Sequence, residues 1–596
     1  MKVLGITSEG DSGAAIVEDG RILAAVNEER LSRMKLVVGF PRGAIPEVLR
    51  LSDTRMDELD AVLVATTDDL FVDELRPFDG WFQDRSDSVA GWLKSHAASR
   101  LSRLGKYLPL AESAYYALLT PTFRHRRRAI QRILRDEFDV ACPIQFVDHH
   151  LAHLTSAYFT SGYEDALVVS IDGGGDGKSA LVYAVRGGRF QYLHEVSAYN
   201  SLGNYYAYIT HLCGFKAMKH EGKVTGLAAY GEPKYVSLLN EFITERGGTF
   251  QNRAGVYNRS ALGALERRLP KGWNREDLSA SIQQHFETLT VRFIRHWARE
   301  TGLRNVAVAG GVFANVRVNE EVHGLPEVDS IFIHPHMSDG GLGGGAALAA
   351  CVEGVLDRTM PRCDEPLRDA YLGDDLGDEE IGTALRKRGL QPERLDGPLE
   401  EEIADLLVQG VVVARANGRM EYGPRALGNR SILYQPTDRD VNDWLNERLH
   451  RSEFMPFAPA VLHEECDKCF ENAAGAKHAA EFMTITFHCT PWAQKRLKGV
   501  VHLDNTARPQ LVKRDRNPSY YRIIEAFRER TGLPAIINTS FNMHEEPIVS
   551  SADDCVRAFL EGQLDYLAIG PHLVKHPLGI THHLKPVAVR RQLQVS

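Results

Sequence analysis

The run KVLGITSEGDSGAAIVEDGRILAAVN at residues 2–27 decides the fold, because its pattern returns in ALVVSIDGGGDGKSALVYAVRGGRFQYLHEV at residues 166–196. In each run an apolar strand leads into a polar or glycine-rich loop, and two more strands follow. The last two strands are joined by Asp19-Gly20 in the first copy and by Gly187-Gly188 in the second, which are typical hairpin turns. Two such units followed by helical sequence predict a duplicated α/β domain with a ligand cleft between its halves.

The pattern around the two copies predicts the rest of the domain organisation. A helical stretch at 69–138 separates the first copy from the next motif and is predicted to be an insertion. After the second copy we expect, in order, a helix at 279–301, strands at 305–309 and 330–334, and a helix at 346–355. A loose stretch at 357–366 predicts a boundary, so we expect one domain over 1–360 and a second α/β domain over 370–596. Its strands are expected at 411–414, 535–538 and 566–569, with a helix at 552–561.

A pair of histidines points to a metal. His149 and His153 are four positions apart, so a helix beginning there places both imidazoles on one face, where they can share one transition-metal ion. A hard ligand is still needed, and Asp172 and Asp339 each follow a predicted strand. The residues between the histidines include no glutamate, so the metalloprotease motif with its general base is absent.

Two other residue sets favour phosphate binding. Gly173 and Gly174, Gly310 and Gly311, and Gly340 lie in glycine-rich loops that follow predicted strands; backbone N–H groups there and the positive end of a helix suit a nucleotide phosphate. The second predicted domain carries arginines and small polar residues in loops, where guanidinium groups can bind a small phosphate bidentately. Its candidate residues are Arg419, Arg425, Arg451, Arg508, Asn538 and Ser540. The alternative for each arginine is a surface ion pair with a carboxylate.

Composition excludes several classes of protein. The chain has 596 residues and a net charge of −9, with ordinary fractions of hydrophobic and charged residues. No apolar run approaches the roughly 18 residues of a membrane span, and the N-terminus does not resemble a signal peptide, so we expect a cytoplasmic protein that does not contact membranes. The net charge argues against nucleic-acid binding, although the basic run at 124–135 runs counter to it.

Six motifs together resemble the ATP-dependent O-carbamoyltransferases, which serve antibiotic and nodulation-factor biosynthesis. In chain order the motifs lie at 148–153, 221–231, 310–315, 418–431, 504–510 and 538–542. The resemblance implies an N-terminal domain of the actin-like ATPase fold, related to the tRNA threonylcarbamoyl-transfer enzyme, and a smaller C-terminal α/β domain related to the threonylcarbamoyl-adenylate synthase. It also implies that the second domain binds carbamoyl phosphate and releases its phosphate. Carbamate and ATP then give carbamoyl adenylate in the first domain, and a hydroxyl of a small natural product accepts the carbamoyl group.

The resemblance also implies roles for individual residues. The four metal ligands would be His149, His153, Asp172 and Asp339, with iron favoured and manganese or zinc as alternatives. Lys35 and Lys223 would contact the polyphosphate of ATP, which brings magnesium with it. Gly310, Gly311 and Asn315 would hold the nucleoside. Carbamoyl phosphate would be held by the arginine, asparagine and serine set of the second domain. Within these sets Asp11, Lys223, Arg425 and Arg508 are the expected catalytic residues.

One residue departs from the family pattern. Related enzymes commonly have a histidine just before the aspartate of the first loop, where it can deprotonate the acceptor hydroxyl, but here Gly10 precedes Asp11. Asp11, Glu9, His220 or the metal could take over this role, so the sequence does not assign the base.

Two alternative functions and one structural question remain open at this stage. A regulatory protein of the actin-like fold would use the same glycine loops to bind ATP, and a tRNA carbamoyl-transfer enzyme would use the basic run. We expect the 69–138 insertion to form the acceptor side of the cleft; the alternative is packing on the outer face or a homodimer contact. Its aromatic and cationic candidates are Phe78, Trp81, Trp92, Tyr115, Tyr116 and Arg124.

Overall fold

The computed structural model describes residues 1–68, 70–72, 74–82, 111–395, 397–450, 456–580 and 585–588, with only the backbone described over 111–121. The strands are β1 (Lys2–Thr7), β2 (Gly13–Glu18), β3 (Arg21–Asn27), β4 (Val37–Val38), β5 (Ala61–Ala65), β6 (Arg76–Pro77), β7 (Ile144–Val147), β8 (Ala166–Gly175), β9 (Lys178–Arg186), β10 (Arg189–Ser197), β11 (Ile243–Glu245), β12 (Phe250–Asn252), β13 (Asn305–Ala309), β14 (Ser330–Ile333), β15 (Val413–Ala416), β16 (Arg430–Tyr434), β17 (Ala458–Leu462), β18 (Phe487–His488), β19 (Thr506–Ala507), β20 (Gln510–Val512), β21 (Ala535–Ser540), β22 (Tyr566–Ile569) and β23 (His572–Lys575).

The helices are α1 (Glu28–Ser32), α2 (Ala44–Leu51), α3 (Ala111–Asp136), α4 (His149–Ser161), α5 (Leu202–Leu212), α6 (Glu221–Leu227), α7 (Val236–Asn240), α8 (Arg259–Arg268), α9 (Arg275–Thr301), α10 (Val316–His323), α11 (Leu342–Leu348), α12 (Asp378–Lys387), α13 (Leu399–Val408), α14 (Asp440–Arg448), α15 (Cys466–Cys469), α16 (Lys477–Ala480), α17 (Pro491–Arg496), α18 (Pro518–Thr531) and α19 (Ala552–Glu561). Among the described ranges, no helix combines the length and the apolar character needed to cross a bilayer.

Tertiary contacts divide the chain into two compact units. The first contains Met1–Ile22 and Leu36–Pro366, and the second contains Leu23–Lys35 and Leu367–Ser596. The chain therefore enters the second unit briefly near its beginning and returns to it after residue 366. Within that unit Arg33 donates to the carbonyls of Pro547 and Ile548, each at 2.8 Å.

Two five-stranded sheets form the framework of the first unit. Their strand orders are β3-β2-β1-β5-β7 and β10-β9-β8-β13-β14. In the first sheet, β1 pairs antiparallel with β2 and parallel with β5. In the second sheet, β8 pairs antiparallel with β9 and parallel with β13. The matching order confirms the duplicated α/β domain predicted from the two repeated runs, and it is the arrangement of the actin-like ATPase fold.

Helix α4 lies in the core of the first unit because nearly every side chain on it is buried. Asp148 begins the helix: its side chain accepts a hydrogen bond from the Leu151 amide at 3.0 Å, as an N-cap does. Gly162 ends it in the left-handed conformation, which glycine adopts without strain. Ala152, Leu154, Ala157 and Tyr158 pack into the core shared with β1, β5, β8, β13 and α11.

The second unit is built on one mixed sheet with the order β20-β17-β21-β16-β15-β22-β23. The central strands β17, β21, β16 and β15 pair antiparallel with one another, and β15 pairs parallel with β22. This confirms a second α/β fold. Its relation to the threonylcarbamoyl-adenylate synthase stays a prediction.

Several predicted boundaries were wrong. The helix expected at 346–355 is Leu342–Leu348 and continues only as a 3-10 turn at Ala349–Cys351. The helix expected from 279 begins at Arg275, because Asn274 caps it by accepting from the Asp277 amide. The strand expected at 411–414 is Val413–Ala416. In the predicted helical insertion, strand Arg76–Pro77 and helix Ala111–Asp136 are found, and residues 83–110, with Trp92, lie outside the described residues.

Candidate functional site

Four predicted metal ligands converge in the first unit. His149 and His153 lie on α4, Asp172 lies in β8, and Asp339 begins the 3-10 turn that follows β14. One ligand atom from each residue lies within 4.8 Å of all the others, and no other group of this kind occurs among the described residues. A helix, a strand and a turn thus bring the four side chains together.

The spacing fits one metal ion. The Oδ2 atom of Asp172 lies 3.0 Å from His153 Nε2 and 3.4 Å from His149 Nε2, and the Oδ1 atom of Asp339 lies 3.7 Å and 3.9 Å from the same two nitrogens. Ligands bound at about 2.0–2.2 Å lie roughly 3–3.6 Å apart, close to these distances. Two imidazoles and two carboxylates form a borderline donor set that suits iron, manganese or zinc.

The electrostatics of the four residues favour a bound cation. Burial alone would lower the pKa of His149, but Glu9 and Asp172 raise it well above its usual value. Burial and the nearby charge of Asp172 raise the pKa of Asp339 to about 6. Two carboxylates this close repel each other, and a cation between them removes that cost.

Neighbouring groups fix the orientation of the ligands. The Oε2 atom of Glu9 lies 2.8 Å from His149 Nδ1, the nitrogen opposite the one that faces the centre. The amide of Gly173 donates to Asp172 Oδ1 at 2.6 Å, and Asp176 accepts from the His149 amide at 2.9 Å. Such supporting carboxylates orient metal-binding histidines. The sequence suggested Glu9 only as a base, and its link to His149 required the fold.

Two segments predicted to bind the nucleotide, the helix of Lys223 and the loop of Asn315, are in contact. Lys223 lies on α6, and Thr225 on the same helix accepts from Asn315 Nδ2 at 3.4 Å. Asn315 also caps α10 and exchanges hydrogen bonds with Gln283 at 2.9 Å and 3.1 Å, so its side chain is held in place. The amide of Gly310 donates to Met337 O at 2.6 Å, which joins the loop after β13 to the loop that carries Asp339. The nucleotide roles of these residues stay predictions.

The glycine-rich run after residue 338 serves helix packing in part. A Cβ on Gly345 would lie 2.0 Å from the carbonyl oxygen of Ala152, so the glycine allows α11 to lie directly on α4. Thr155 on α4 donates to Gly345 O at 2.7 Å. The phosphate role predicted for Gly340 stays a prediction, as do those of Gly173 and Gly174, which lie within β8. Lys35 belongs by its contacts to the second unit.

In the second unit, three predicted segments meet. Asn538 donates to the carbonyl of Ala426 at 3.1 Å and to Gln510 Oε1 at 2.8 Å, and Gln510 donates to Leu427 O at 2.7 Å. The loop of Arg425 and the loop of Arg508 are therefore held against β21, which carries Asn538 and Ser540.

Two further arginines of the predicted set differ in their placement. The guanidinium of Arg419 donates to Gly373 O at 3.0 Å and Leu372 O at 2.9 Å, so it supports the backbone around residue 372. Arg451 lies outside the described residues. The assignment of both to carbamoyl phosphate stays a prediction.

The duplicated domain and its topology define an α/β protein of the actin-like ATPase class. Comparison with family models identifies the family: residues 2–348 match the carbamoyltransferase N-terminus and residues 404–576 match the carbamoyltransferase C-terminus. The chain belongs to the carbamoyltransferase family, and carbamoyl transfer is the chemistry of that family.

Two curated relatives and one solved structure illustrate these similarities. Nodulation protein NolNO of Sinorhizobium fredii is 32% identical over 95% of this chain and 79% of its own length. Nodulation protein NolO of Bradyrhizobium diazoefficiens is 37% identical over 72% of this chain and 79% of its own length. Component A of the Acidaminococcus fermentans (R)-2-hydroxyglutaryl-CoA dehydratase is 15% identical, covers 58% of this chain and 96% of its own, and has a TM-score of 0.31.

Proposed function

We propose that this protein is an O-carbamoyltransferase that uses carbamoyl phosphate and ATP to carbamoylate a hydroxyl of a small natural product. The observation that carries the proposal is the centre formed by His149, His153, Asp172 and Asp339, which lies entirely within the stretch that matches the carbamoyltransferase N-terminus. The matches to the carbamoyltransferase N-terminus and C-terminus support carbamoyl transfer as the reaction.

The donor is processed in the second unit. Arg425 and Arg508 lie in loops joined through Gln510, Asn538 and the backbone at 426–427. Guanidinium groups held there bind the phosphate of carbamoyl phosphate and stabilise its charge as it leaves. Water attacks the donor, and carbamate and inorganic phosphate are the products.

The activated intermediate forms in the first unit. A carbamate oxygen attacks the α-phosphorus of ATP, the bond to the bridging oxygen breaks, and carbamoyl adenylate and pyrophosphate result. Lys223 offsets the negative charge of the polyphosphate, whose magnesium enters with ATP. The acceptor oxygen then attacks the carbamoyl carbon and AMP leaves.

The metal centre supports the transfer step. His149, His153, Asp172 and Asp339 would hold a cation, iron in our proposal, which would supply positive charge to the transfer step. Glu9 keeps the His149 ring in its ligating orientation. Because the substrates ATP and carbamoyl phosphate are cytoplasmic, we place the reaction in the cytoplasm.

The acceptor side is formed in part by the insertion. Trp81 pairs through its amide with Ala217 O at 3.1 Å, and Phe82 lies with its ring centroid 6.0 Å from that of Tyr208. Residues 81 and 82 of the insertion therefore contact α5 and the segment between α5 and α6. An aromatic wall in this position suits an apolar or glycosidic acceptor.

Pyrophosphate release tests this function. With the wild-type protein we expect pyrophosphate only when ATP and carbamoyl phosphate are both present. His153→Ala and Asp339→Ala should lose bound metal and transfer to the acceptor while the fold survives, and His125→Ala, an exposed histidine on α3, should retain both. Pyrophosphate release that does not require carbamoyl phosphate, or full metal content and turnover in the two variants, would contradict the proposal.

A further inference from the structure

The proposed reaction needs a proton acceptor, and the loop after β1 at residues 8–12 contains no histidine. The hydroxyl of the acceptor has a pKa far above neutrality, so a positioned base accelerates its attack on the carbamoyl carbon. The inference that follows rests on the proposed function, because it concerns the final step of that reaction.

Asp11 and His336 form a buried pair in the first unit. His336 Nε2 lies 3.1 Å from Asp11 Oδ2, and both side chains are about 5% exposed. Asp11 has a φ of 70°, which turns the loop after β1 toward the segment that follows β14. A Cβ on Gly340 would lie 2.2 Å from His336 Nε2 and 2.6 Å from Asp11 Oδ2, so only glycine leaves room for the pair.

The pair lies next to the candidate metal centre. Gly340 follows the ligand Asp339, and a Cβ on Gly10 would lie 3.1 Å from Asp339 Oδ2. The loop that lacks the expected histidine therefore borders the transfer site. The imidazole of His336 reaches this border from the second half of the duplicated domain.

Glu9 and His220, the other two residues considered as the base, make contacts elsewhere. Glu9 Oε2 lies 2.8 Å from His149 Nδ1, where it orients a metal ligand. His220 precedes α6, and its Nδ1 accepts from the Lys216 amide at 3.4 Å. Glu9 is therefore tied to a candidate metal ligand, and His220 to the backbone at Lys216.

We propose that His336 is the general base that deprotonates the acceptor hydroxyl and that Asp11 is its positioning residue. The imidazole of His336 takes the proton as the O–H bond of the acceptor breaks. The acceptor oxygen forms its bond to the carbamoyl carbon, and the bond from that carbon to the AMP oxygen breaks with its electron pair on AMP. The Asp11 carboxylate stabilises the imidazolium until the proton is released to water.

Two kinds of nucleophile, an amine and a hydroxyl, separate this role from a structural one. Hydroxylamine attacks as a free amine and needs no base before attack, whereas water and glycerol must lose a proton. Carbamoyl adenylate is formed on the enzyme from carbamoyl phosphate and ATP, then chased with hydroxylamine, with water alone or with glycerol. For His336→Gln and Asp11→Asn we expect pyrophosphate release and hydroxylamine trapping within about twofold of wild type, and transfer to water and glycerol slowed about a hundredfold or more.

The matched control is His334→Gln, a buried histidine two positions away whose Nδ1 lies 3.1 Å from Thr160 Oγ1; it should show no difference between the nucleophiles. Equal slowing with all three nucleophiles would reveal a structural role, and unchanged transfer to water and glycerol would exclude His336 as the base; either result overturns the inference. Absence of pyrophosphate release from the wild-type protein would instead reject the proposed function itself.

Discussion

At the scale of single residues, the candidate centre depends on contacts between side chains far apart in sequence. Asp172 lies in a strand, the histidines on a helix and Asp339 in a turn. Glu9 contacts His149 from the loop between β1 and β2. The convergence of these four residues was predictable, because the spacing of the two histidines and the position of each aspartate after a predicted strand indicated one cluster. The pairing of Asp11 with His336 was not, because it joins residues 325 positions apart and no local pattern signals it.

Replacement of Glu9 tests the orientation of His149. In Glu9→Gln the carboxylate that lies 2.8 Å from His149 Nδ1 becomes a neutral amide, so the ring is held less firmly and is a weaker ligand. We expect metal affinity to fall by about 10–100-fold, measured by competition with a chelator. Glu18→Gln, at the end of β2, is the control and should bind metal normally. Equal affinities in the two variants would contradict the role of Glu9.

Replacement of Arg508 tests the donor site in the second unit. Arg508→Ala removes one guanidinium contact to the donor phosphate, which should cost about 1.5–3 kcal/mol, or roughly tenfold to a hundredfold in affinity for carbamoyl phosphate. Calorimetry should show unchanged ATP binding. Arg386→Ala, on the exposed face of α12, should bind both ligands as wild type does. Loss of ATP binding with normal carbamoyl phosphate binding would mean that the two sites are reversed.

At the scale of elements, the repeated strands were predictable and the packing of the glycine-rich run was not. Alternating apolar strands and two hairpin turns were sufficient to predict β1–β3 and β8–β10. Glycine-rich sequence after residue 338 suggested phosphate binding alone, yet Gly345 is needed where α11 lies on α4. The helix therefore begins at Leu342, earlier than periodicity indicated, because tertiary contact compensates for the poor helix propensity of glycine.

The first turn of α4 depends on its cap. In Asp148→Ala the hydrogen bond from the Leu151 amide is lost, together with the 2.6 Å ion pair to Lys178. The free energy of unfolding should fall by about 0.5–2 kcal/mol, followed by thermal denaturation. Asp148→Asn keeps a capping oxygen and should lose less. If both variants melt at the same reduced temperature, the ion pair rather than the cap stabilises the helix.

His334, which follows β14, should make the first unit sensitive to acid. Burial, with the nearby His336 and His153, lowers the pKa of His334 to about 3, whereas the unfolded chain takes up the proton near pH 6.5. The unfolded state therefore binds more protons below pH 6.5, and stability falls as the pH decreases. Between pH 6 and pH 5 this group should remove about 1 kcal/mol, measured by urea unfolding at each pH.

His334→Gln provides the comparison for this acid sensitivity. The variant should be less stable at pH 7 and should lose about 1 kcal/mol less than wild type between pH 6 and pH 5. The same pH dependence in variant and wild type would show that His334 is not buried in its neutral form.

At the scale of the whole molecule, the order of the two folds was predictable and the path of the chain was not. A loose stretch at 357–366 marked the change between folds, and the contacts divide the chain after Pro366. The segment Leu23–Lys35 belongs to the second unit because of tertiary contacts such as those of Arg33 with the carbonyls of Pro547 and Ile548. A strand and a short helix carry no local signal of which unit they join.

The fate of the carbamoyl carbon tests the proposed function most directly. The wild-type protein is incubated with ATP and carbamoyl phosphate labelled with carbon-13 at the carbonyl, and the products are followed by mass spectrometry. We expect the label in an adduct with AMP, formed in step with pyrophosphate, and then in any hydroxyl acceptor that is added. Label that never joins AMP, with ATP intact or converted to ADP, would contradict carbamoyl transfer through an adenylate.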